Sequence, residues 1–411
     1  MLQLLYFEIR KNYLRRFVIL AFLAFLIINV LFICYGYKKG DYGASAHFLA
    51  HTKENRSTID FYTQMHNKLD GALTKEKANF VVDENTRLES KIKNGAYSRD
   101  YQPDSYTGYL WGDYVSFQTY FFRPVKYMAL YATNSRGLVE KAIDNIAFYK
   151  KYDNSFEVSK NEFIVKHYSN RSITSFYETK QWEKLFDYEI SDFLIFLLLI
   201  LGLAPLFVNE KETNMHALIT SNIYGRISLS YIKAASSLIY ITFLVLVFSC
   251  TNLLVFGLLY GFNGLGLPQY AIEQYQYTPF SGSVFSFYIM LVLFKLLGAA
   301  SFSFMLLFVS SLTKRVIFPF IMGMLMFFGG MFLSGYMQSA VFSQVLWAII
   351  SPFTLLRGNR LFIQLYGMDT GGRFSTIATL CVLVQGILSV ILFMLIRKRF
   401  VQNTRIKSKA L

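Results

Sequence analysis

The sequence predicts an all-α polytopic membrane protein with about six transmembrane helices and one large domain between the first two. The first observation is compositional, because 54% of the 411 residues are hydrophobic and 18% are aromatic. The second is that apolar residues gather in runs of roughly 20, the length that crosses a hydrocarbon core at about 1.5 Å per residue. The third is that basic residues cluster beside these runs.

Six apolar runs are long enough to span a bilayer. They cover residues 17–35, 193–208, 234–260, 284–311, 316–334 and 377–396. The first run follows a basic segment, and no convincing small-residue cleavage site comes after it. We therefore expect a retained signal anchor rather than a cleaved signal peptide. Ser191 or Asp192 is predicted to cap the start of the second span.

The formal net charge of +15 is concentrated in short basic segments that adjoin the apolar runs. Basic loops stay on the cytoplasmic side of a membrane, so the pattern predicts cytoplasmic termini and an extracytoplasmic location for residues 37–190. Topology accounts for the charge, and nucleic-acid binding is not expected. The frequent Asn, Lys, Tyr, Ile and Phe, with only 7 Pro, suggest an A+T-rich bacterial genome and hence a bacterial cell membrane.

Residues 1–16 are predicted to form a short helix that lies on the membrane surface ahead of the first transmembrane helix, residues 17–36. Its apolar side chains fall on one face at helical spacing, as in an interfacial amphipathic helix. The basic residues that would meet lipid phosphates are Arg10, Lys11, Arg15 and Arg16. The alternative is a charged extension of the first span.

Residues 37–190 differ in character from the rest of the chain, because charges of both signs return together with many Tyr, Asn and Ser. Apolar residues recur at helical spacing in 59–73 and in 138–146. The segment is long enough to have its own core, and we expect a folded, helix-rich extracytoplasmic domain. A strand within residues 114–130 would make this domain α+β. Residues 191–411 would then form a region of five transmembrane helices.

The stretch 341–367 is apolar, but Ser351-Pro352 interrupts it, and Arg357 and Arg360 follow. Proline removes a backbone donor and disfavours a helical conformation in the residue before it. A re-entrant segment of two short half-helices, dipping in from the outer face, would fit both the length and the break. An amphipathic surface loop is the alternative.

The segment 209–233, after the second span, carries the functional hypothesis. Glu210 and Glu212 are expected to open a short helix, where carboxylates suit the positive helix end. The apolar stripe that follows on one face consists of Met215, Leu218 and Ile219. An amphipathic helix beneath the bilayer can bury such a stripe in a groove of a partner protein.

This loop resembles the first inner loop of the permease subunits of type 2 ABC transporters, which have the type V exporter fold. In that family the loop contains, in this order, an acidic residue, a short helix, a Thr or Ser and an Arg, and a Lys follows at the start of the next span. The matching residues are Glu210, Glu212, Leu218, Ser221, Arg226 and Lys233. The interfacial helix, the six spans and the re-entrant pair also occupy the family's places. The chain departs from the family at Asn214-Met215, where a Gly is common, and in the large size of domain 37–190.

The resemblance implies an exporter of an amphipathic substrate, such as an antimicrobial peptide, a lipid-like molecule or a drug. Two permeases, identical or paralogous, would assemble with two copies of a separate ABC ATPase subunit, which the coupling loop 209–233 would contact. The sequence contains no G-x-x-x-x-G-K-[ST] phosphate loop. ATP and Mg are therefore expected on the partner, with no cofactor and no catalytic residue on this chain.

Lys295 lies near the middle of the fourth span. An ammonium group there costs several kcal/mol unless it is paired or hydrated. One hypothesis places Lys295 in the substrate pathway, where it meets an anionic headgroup or a peptide carboxylate. The other gives it a structural partner, or a side chain that snorkels toward the interface.

Two other classes of function stay open at this point. A membrane enzyme acting at the outer surface could use acids such as Asp83 and Glu84, but no nucleophile, base and orienting group stand at a recognisable spacing. A sensor or resistance component could recognise its ligand with the extracytoplasmic domain. It would then need a partner to signal inward, because the inner segments are short.

Metal and disulfide chemistry are not expected. His47 and His51 form an H-x-x-x-H pair with no nearby acidic motif, which is weak support for a metal site. The three cysteines, Cys34, Cys250 and Cys381, all lie in apolar runs and do not suggest a disulfide framework.

Overall fold

The computed structural model describes residues 2–39, 56–93, 105, 110–213, 223–338 and 342–402. Within these residues, six helices are long and apolar enough to cross a membrane, which confirms the predicted count. The described residues are mainly helical. In the apolar spans a helix satisfies its own backbone N–H and C=O groups where no water is present. The described strands form two small antiparallel sheets.

The chain starts with two helices, α1 (Leu2–Asn12) and α2 (Arg16–Lys39). They are separated at residues 13–15, so the segment ahead of the first span is a helix in its own right rather than an extension of that span. Most α2 side chains are exposed, as expected for a helix that faces lipid. The placement of α1 on a membrane surface stays a prediction.

The described part of residues 37–190, here called the inserted domain, is rich in helix. The described helices are α3 (Arg56–Leu69), α4 (Lys75–Lys93), α5 (Leu110–Phe117), α6 (Arg123–Lys150), α7 (Ser155–Tyr168) and α8 (Lys180–Phe186). Two short strands, β1 (Gly71–Ala72) and β2 (Ser175–Phe176), pair antiparallel. The location of this domain outside the cell stays a prediction.

The strand considered within residues 114–130 is wrong, because this stretch is helical throughout. α5 continues through a π-helical turn, Gln118–Phe122, into α6. The buried residues of the stretch are Phe117, Phe121, Val125 and Met128. They recur every three or four residues, which is the spacing of one helix face. Burial of this stripe outweighs the strand propensity of the aromatic residues.

The remaining spans form a helical bundle with one interrupted helix pair. The helices are α9 (Ile190–Leu203), α10 (Pro205–Glu212), α11 (Ile223–Tyr260), α12 (Val284–Leu312), α13 (Ile317–Ser334), α14 (Phe342–Ile350), α15 (Phe353–Leu356) and α16 (Ile377–Gln402). The second span consists of α9 and α10, which meet at Ala204. Pro205 accounts for this junction, because it lacks a backbone donor.

The predicted cap of the second span is wrong. α9 starts at Ile190, so Ser191 and Asp192 both lie within its first turn. Their side chains contact other helices instead. Ser191 Oγ accepts a hydrogen bond from Asn252 Nδ2 at 2.9 Å, and Asp192 Oδ1 accepts one from Lys295 Nζ at 2.8 Å.

The segment 341–367, described from residue 342, contains two short helices with the predicted break at Ser351-Pro352. The break is anchored on α13, where Ser351 Oγ donates to the carbonyl of Gly330 at 2.9 Å. A Cβ at Gly330 would lie 2.2 Å from the Phe353 ring, so this close approach requires glycine. A 3₁₀ turn and the β3 (Gly367–Asp369) and β4 (Phe374–Thr376) hairpin then lead into α16. Re-entry into a membrane stays a prediction.

The inserted domain, the loop between α11 and α12 and the β3–β4 hairpin lie together at one end of the bundle, here called the outer end. Trp182 Nε1 donates to the carbonyl of Asn263 at 2.8 Å. The backbone N–H of Phe374 donates to Ser159 Oγ at 3.1 Å. These contacts join the connections after the first, third and fifth spans. In a chain that crosses a membrane six times, these three connections lie on the same side.

Arg171 holds the inserted domain against the loop that follows α11. Its guanidinium donates to the carbonyls of Thr278 at 2.7 Å and Pro279 at 3.1 Å. It also lies over the rings of Tyr168 and Tyr270, at 4.3 and 4.9 Å from their centroids. Burial raises the pKa of Tyr168, so its ring stays neutral beside the cation.

Helix α1, the end of α10 and the turn between α12 and α13 lie at the opposite end, here called the inner end. Lys11 Nζ donates to Glu210 Oε1 at 3.2 Å. Glu212 Oε1 accepts from the backbone N–H of Val316, also at 3.2 Å. The connections therefore alternate between the two ends, as predicted from charge. The assignment of the inner end to the cytoplasm stays a prediction.

Single cysteines at Lys151, in the inserted domain, and at Lys314, in the turn at the inner end, test this assignment, since both lysines are exposed. In a background without the three native cysteines, we expect a membrane-impermeant maleimide to label Lys151→Cys in intact cells. Lys314→Cys should react only after lysis, because the positive-inside rule places it in the cytoplasm. Labelling of Lys314→Cys in intact cells would show that the inner end faces the outside and would contradict the predicted topology.

Candidate functional site

A buried ionic cluster at the inner end is formed by Glu8, Lys11, Glu210 and Lys233. Lys233 lies at its centre, fully buried, with Nζ 2.8 Å from Glu210 Oε1 and 4.0 Å from Glu8 Oε2. The ammonium group also donates to the carbonyl of Leu206 at 2.8 Å. Two carboxylates and two ammonium groups balance each other, as buried charges must, because an unpaired charge is strongly destabilised away from water.

Helix α1 is attached to the bundle through this ionic cluster and an adjoining aromatic contact. Lys11 of α1 binds Glu210 of α10 at 3.2 Å. Just after α1, the Tyr13 ring stacks on Tyr240 of α11 with the centroids 4.2 Å apart. The Tyr13 hydroxyl lies 3.2 Å from Ser237 Oγ. The first helix is therefore held to both α10 and α11.

The last two residues of α10 bind the turn between α12 and α13. Lys211 Nζ donates to carbonyls at the end of α12, including that of Ser311 at 2.6 Å, where a cation suits the negative helix end. Glu212 accepts from the N–H of Val316 at the start of α13, where a carboxylate suits the positive helix end. Residues 210–212, here called the clamp, thus contact α1, α11, α12 and α13.

The predicted coupling residues fall into three groups. Glu210 and Glu212 were expected to open a new helix, which is wrong, because they close α10 and are held there by Lys233 and by the start of α13. Arg226 lies near the start of α11. The others, Met215, Leu218, Ile219 and Ser221, lie outside the described residues. Docking of loop 209–233 on a partner stays a prediction.

The four basic residues predicted to meet lipid differ in their surroundings. Lys11 is partly buried and paired with Glu210. Arg10, Arg15 and Arg16 are exposed. Arg15 is oriented by the bond from its Nε to the carbonyl of Lys11, at 2.6 Å. Contact of these arginines with lipid phosphates stays a prediction.

Lys295, the charge predicted within the fourth span, has a partner at the start of the second span. It lies about 16 Å along α12 from Val284. Its Nζ is 2.8 Å from Asp192 Oδ1, and the two side chains are 16% and 13% exposed. The structure thus supplies the structural partner of one hypothesis. Because both groups keep some exposure, contact with substrate stays a prediction.

Further charges at the outer end tie the segment after α15 to the start of α9. Glu189 binds Arg357 at 2.7 Å and Arg360 at 3.0 Å. Asn359 Nδ2 donates to Asp187 Oδ1 at 2.6 Å. The outer charge network is defined here as Glu189, Asp192, Lys295, Arg357 and Arg360. It joins α9, α12 and the segment that follows the Ser351-Pro352 break.

The helix pair α9–α10 is the central element of the described bundle. In its apolar window 67% of the residues are buried within the protein, whereas the other spans range from 17% to 50%. The pair carries the clamp at its inner end and Glu189 and Asp192 at its outer end. The pair thus connects the clamp to Glu189 and Asp192 through well-packed helices.

Sequence reasoning missed a chain of buried amides in the outer half of the bundle. Asn29 Nδ2 of α2 donates to Asn252 Oδ1 of α11 at 2.7 Å, and Asn252 Nδ2 donates to Ser191 Oγ of α9 at 2.9 Å. The hydroxyl of Tyr188 donates to Asn29 Oδ1 at 3.1 Å. The signal was present, because an amide within an apolar run needs a polar partner on another helix.

A second missed residue is Gln385 of α16, which is fully buried. Its Nε2 donates to the carbonyls of Ile349 and Ile350, at 3.0 and 2.7 Å. Its Oε1 accepts from Ser301 Oγ of α12 at 2.6 Å. Gln385 therefore caps the carbonyl end of α14 and fixes the break in the segment 341–367 against α12 and α16.

Metal-binding groups are not found in the described part of the chain, where no three His, Cys, Asp or Glu side chains could hold an ion together. His47 and His51 lie outside the described residues. Glu84, one of the acids considered for an enzyme, pairs with Arg87 on the same helix at 2.5 Å. That contact is an ordinary i,i+3 pair on a helix surface.

Comparison with protein-family models, curated proteins and solved structures gives no match to this chain. The resemblance to ABC permeases therefore rests on loop 209–233 and on the order of the elements around it.

Proposed function

We propose that this chain is the membrane-spanning permease subunit of an ATP-driven exporter in a bacterial plasma membrane. Both termini are cytoplasmic, and the inserted domain lies outside. A separate ABC ATPase, present in two copies, holds ATP and Mg. A second permease, identical or paralogous, completes the complex. The chain itself performs no hydrolysis and moves an amphipathic substrate, such as an antimicrobial peptide, a lipid-like molecule or a drug.

The observation that carries this proposal is the clamp. Three consecutive residues, 210–212, contact four helices immediately before the loop that resembles an ATPase-docking loop. A pump needs such a junction, because a movement of its ATPase must reach several spans at once. The clamp supports this role because a displacement of the loop would be shared by α1, α11, α12 and α13.

The outer charge network is the part of the chain where we propose that the substrate binds. α9–α10 carries the clamp at one end and Asp192 at the other, so a shift of this pair would alter the 2.8 Å contact between Asp192 and Lys295. A freed ammonium group in an apolar surrounding needs a new anion. In this proposal, an anionic group of the amphipathic substrate takes the place of Asp192 during transport.

Docking is tested with Leu218→Asp and Met215→Asp in a chain co-expressed with the ABC ATPase subunit that this proposal requires. Burying a Leu side chain contributes about 1.5–3 kcal/mol, so each variant should lose roughly tenfold or more in ATPase co-purification. The added carboxylate would also be desolvated without a partner. Insertion into the membrane should be unchanged, because the loop lies outside the apolar spans.

Lys398→Asp is the matched control, since Lys398 is exposed on α16 outside loop 209–233 and the change also introduces a carboxylate without removing an apolar side chain. It should co-purify with the ATPase at the wild-type level. If Leu218→Asp and Met215→Asp also do so, and transport continues, the exporter assignment loses its main support.

A further inference from the structure

An apolar groove lies between α1, the start of α2 and α11. Its volume is about 400 Å³. The groove is lined by Ile9, Tyr13, Leu14, Val18, Ile19, Phe22, Leu23, Ile239, Tyr240, Phe243 and Leu244. From the start of α2 to Leu23 it follows about 11 Å of helix, which lies within the roughly 15 Å depth of one leaflet. Its length and position thus suit the inner-end leaflet.

The groove has an apolar lining that presents no unpaired polar group. Its two hydroxyls are already engaged, since that of Tyr13 lies 3.2 Å from Ser237 Oγ and that of Tyr240 donates to the carbonyl of Leu198 at 3.0 Å. Ile239 and Phe243 on the wall are 46% and 51% exposed. The part of a ligand that enters the groove must therefore be hydrocarbon.

Two arginines are close in sequence to lining residues of the groove, on either side of the turn between α1 and α2. Arg10 directly follows the lining residue Ile9, and Arg16 precedes Val18 by two positions. Both arginines are exposed, and neither forms an ion pair with any described residue. Their guanidinium groups suit a phosphate, which they can bind through two parallel hydrogen bonds.

We propose that this groove binds one acyl chain of an anionic glycerophospholipid from the inner-end leaflet, with Arg10 and Arg16 binding the headgroup. The occupant follows from the combination of a hydrocarbon groove with exposed arginines beside its lining residues in the sequence. A second copy of this face would instead bring the same arginines, whose like charges repel. The inference depends on membrane embedding alone, so it can fail without affecting the export proposal.

The test uses the full-length protein in detergent micelles doped with equal amounts of phosphatidylglycerol and phosphatidylcholine, with bound lipid counted by native mass spectrometry. We expect the wild type to retain phosphatidylglycerol. Ile239→Trp fills the groove and should reduce retention about tenfold or more. Ile289→Trp is its control, since Ile289 on α12 is equally exposed, at 46%, and lies outside the groove; it should retain lipid normally.

The headgroup is tested with Arg10→Gln/Arg16→Gln, which alters only exposed side chains and should fold normally. The loss of two cations should weaken phosphatidylglycerol retention about tenfold or more and abolish its preference over phosphatidylcholine. The control Lys314→Gln/Lys398→Gln removes two exposed lysines elsewhere on the chain and should have no effect. Equal retention in Ile239→Trp and Ile289→Trp, or equal retention of the two lipids by the wild type, would overturn the proposal.

Discussion

Replacing Lys233 with methionine is expected to lower the free energy of unfolding by roughly 3–5 kcal/mol, the range for breaking a buried ion pair. The change removes the 2.8 Å partner of Glu210, a side chain that is only 2% exposed. Lys11 would be left as the nearest cation, at 3.2 Å and from the partly exposed edge of the cluster. The decrease in the free energy of unfolding can be measured by titrating SDS into the protein in mixed micelles.

The double variant Lys233→Met/Glu210→Leu separates the contribution of the charges to stability from the contribution of side-chain packing. Replacing both members of a buried pair with apolar residues is often neutral, so most of the lost stability should return. Lys398→Met, at an exposed lysine of α16, controls for the loss of one positive charge and should change stability little. A Lys233→Met protein as stable as Lys398→Met would show that the ionic cluster does not stabilise the inner end.

The double variant also probes the clamp. If the charges transmit movement from the loop to α11, Lys233→Met/Glu210→Leu should regain its stability without regaining coupled ATP hydrolysis in the assembled complex. Recovery of both would reduce the ionic cluster to a structural role and leave Lys211 and Glu212 as the coupling contacts.

Asp192→Leu should have the second large effect, because it leaves the Lys295 ammonium group unpaired about 16 Å along a transmembrane helix. The yield of folded protein should fall severely, since removal of one partner of a buried pair costs roughly 3–5 kcal/mol. The yield is measured as the monodisperse fraction by size-exclusion chromatography after detergent extraction. Lys295→Met should also lower the yield, because it leaves the Asp192 carboxylate without its partner at 2.8 Å.

The double variant Asp192→Leu/Lys295→Met decides between the two hypotheses for Lys295. Both charges are then absent, and we expect the folded yield to return to near the wild-type level. If Lys295 meets an anionic substrate, ATP hydrolysis by the reconstituted complex should no longer respond to amphipathic substrates. A normal response in this variant would assign the pair a purely structural role.

The ionic cluster and the outer charge network lie at opposite ends of one helix pair. Both are carried by α9–α10, the most buried of the described spans, and both engage helices far away in the sequence. The ionic cluster adjoins loop 209–233, and the outer charge network includes residues that follow the break at Ser351-Pro352. Gln385 of α16 binds the carbonyls at the end of α14, just before that break.

The features that depend on local physics could be predicted from the amino-acid sequence. A run of about 20 apolar residues is enough to define a span, because each helix satisfies its own backbone in the absence of water. The alternation of the connections followed from the basic segments beside the runs. The Ser351-Pro352 break was also predicted, because the effect of a proline on its neighbours is local.

The tertiary structure alone decided which polar groups meet. Lys11 and Glu210 are 199 residues apart, Lys295 and Asp192 are 103 apart, and Asn29 and Asn252 are 223 apart. Their pairing depends on how the helices rotate and pack, which hydrophobic periodicity does not encode. For the same reason Glu210, whose charge suggested an exposed helix start, proved to be a buried partner of Lys233. A carboxylate is equally compatible with a solvated helix end and a paired interior site, and only the packed helices supply the cation that selects between them.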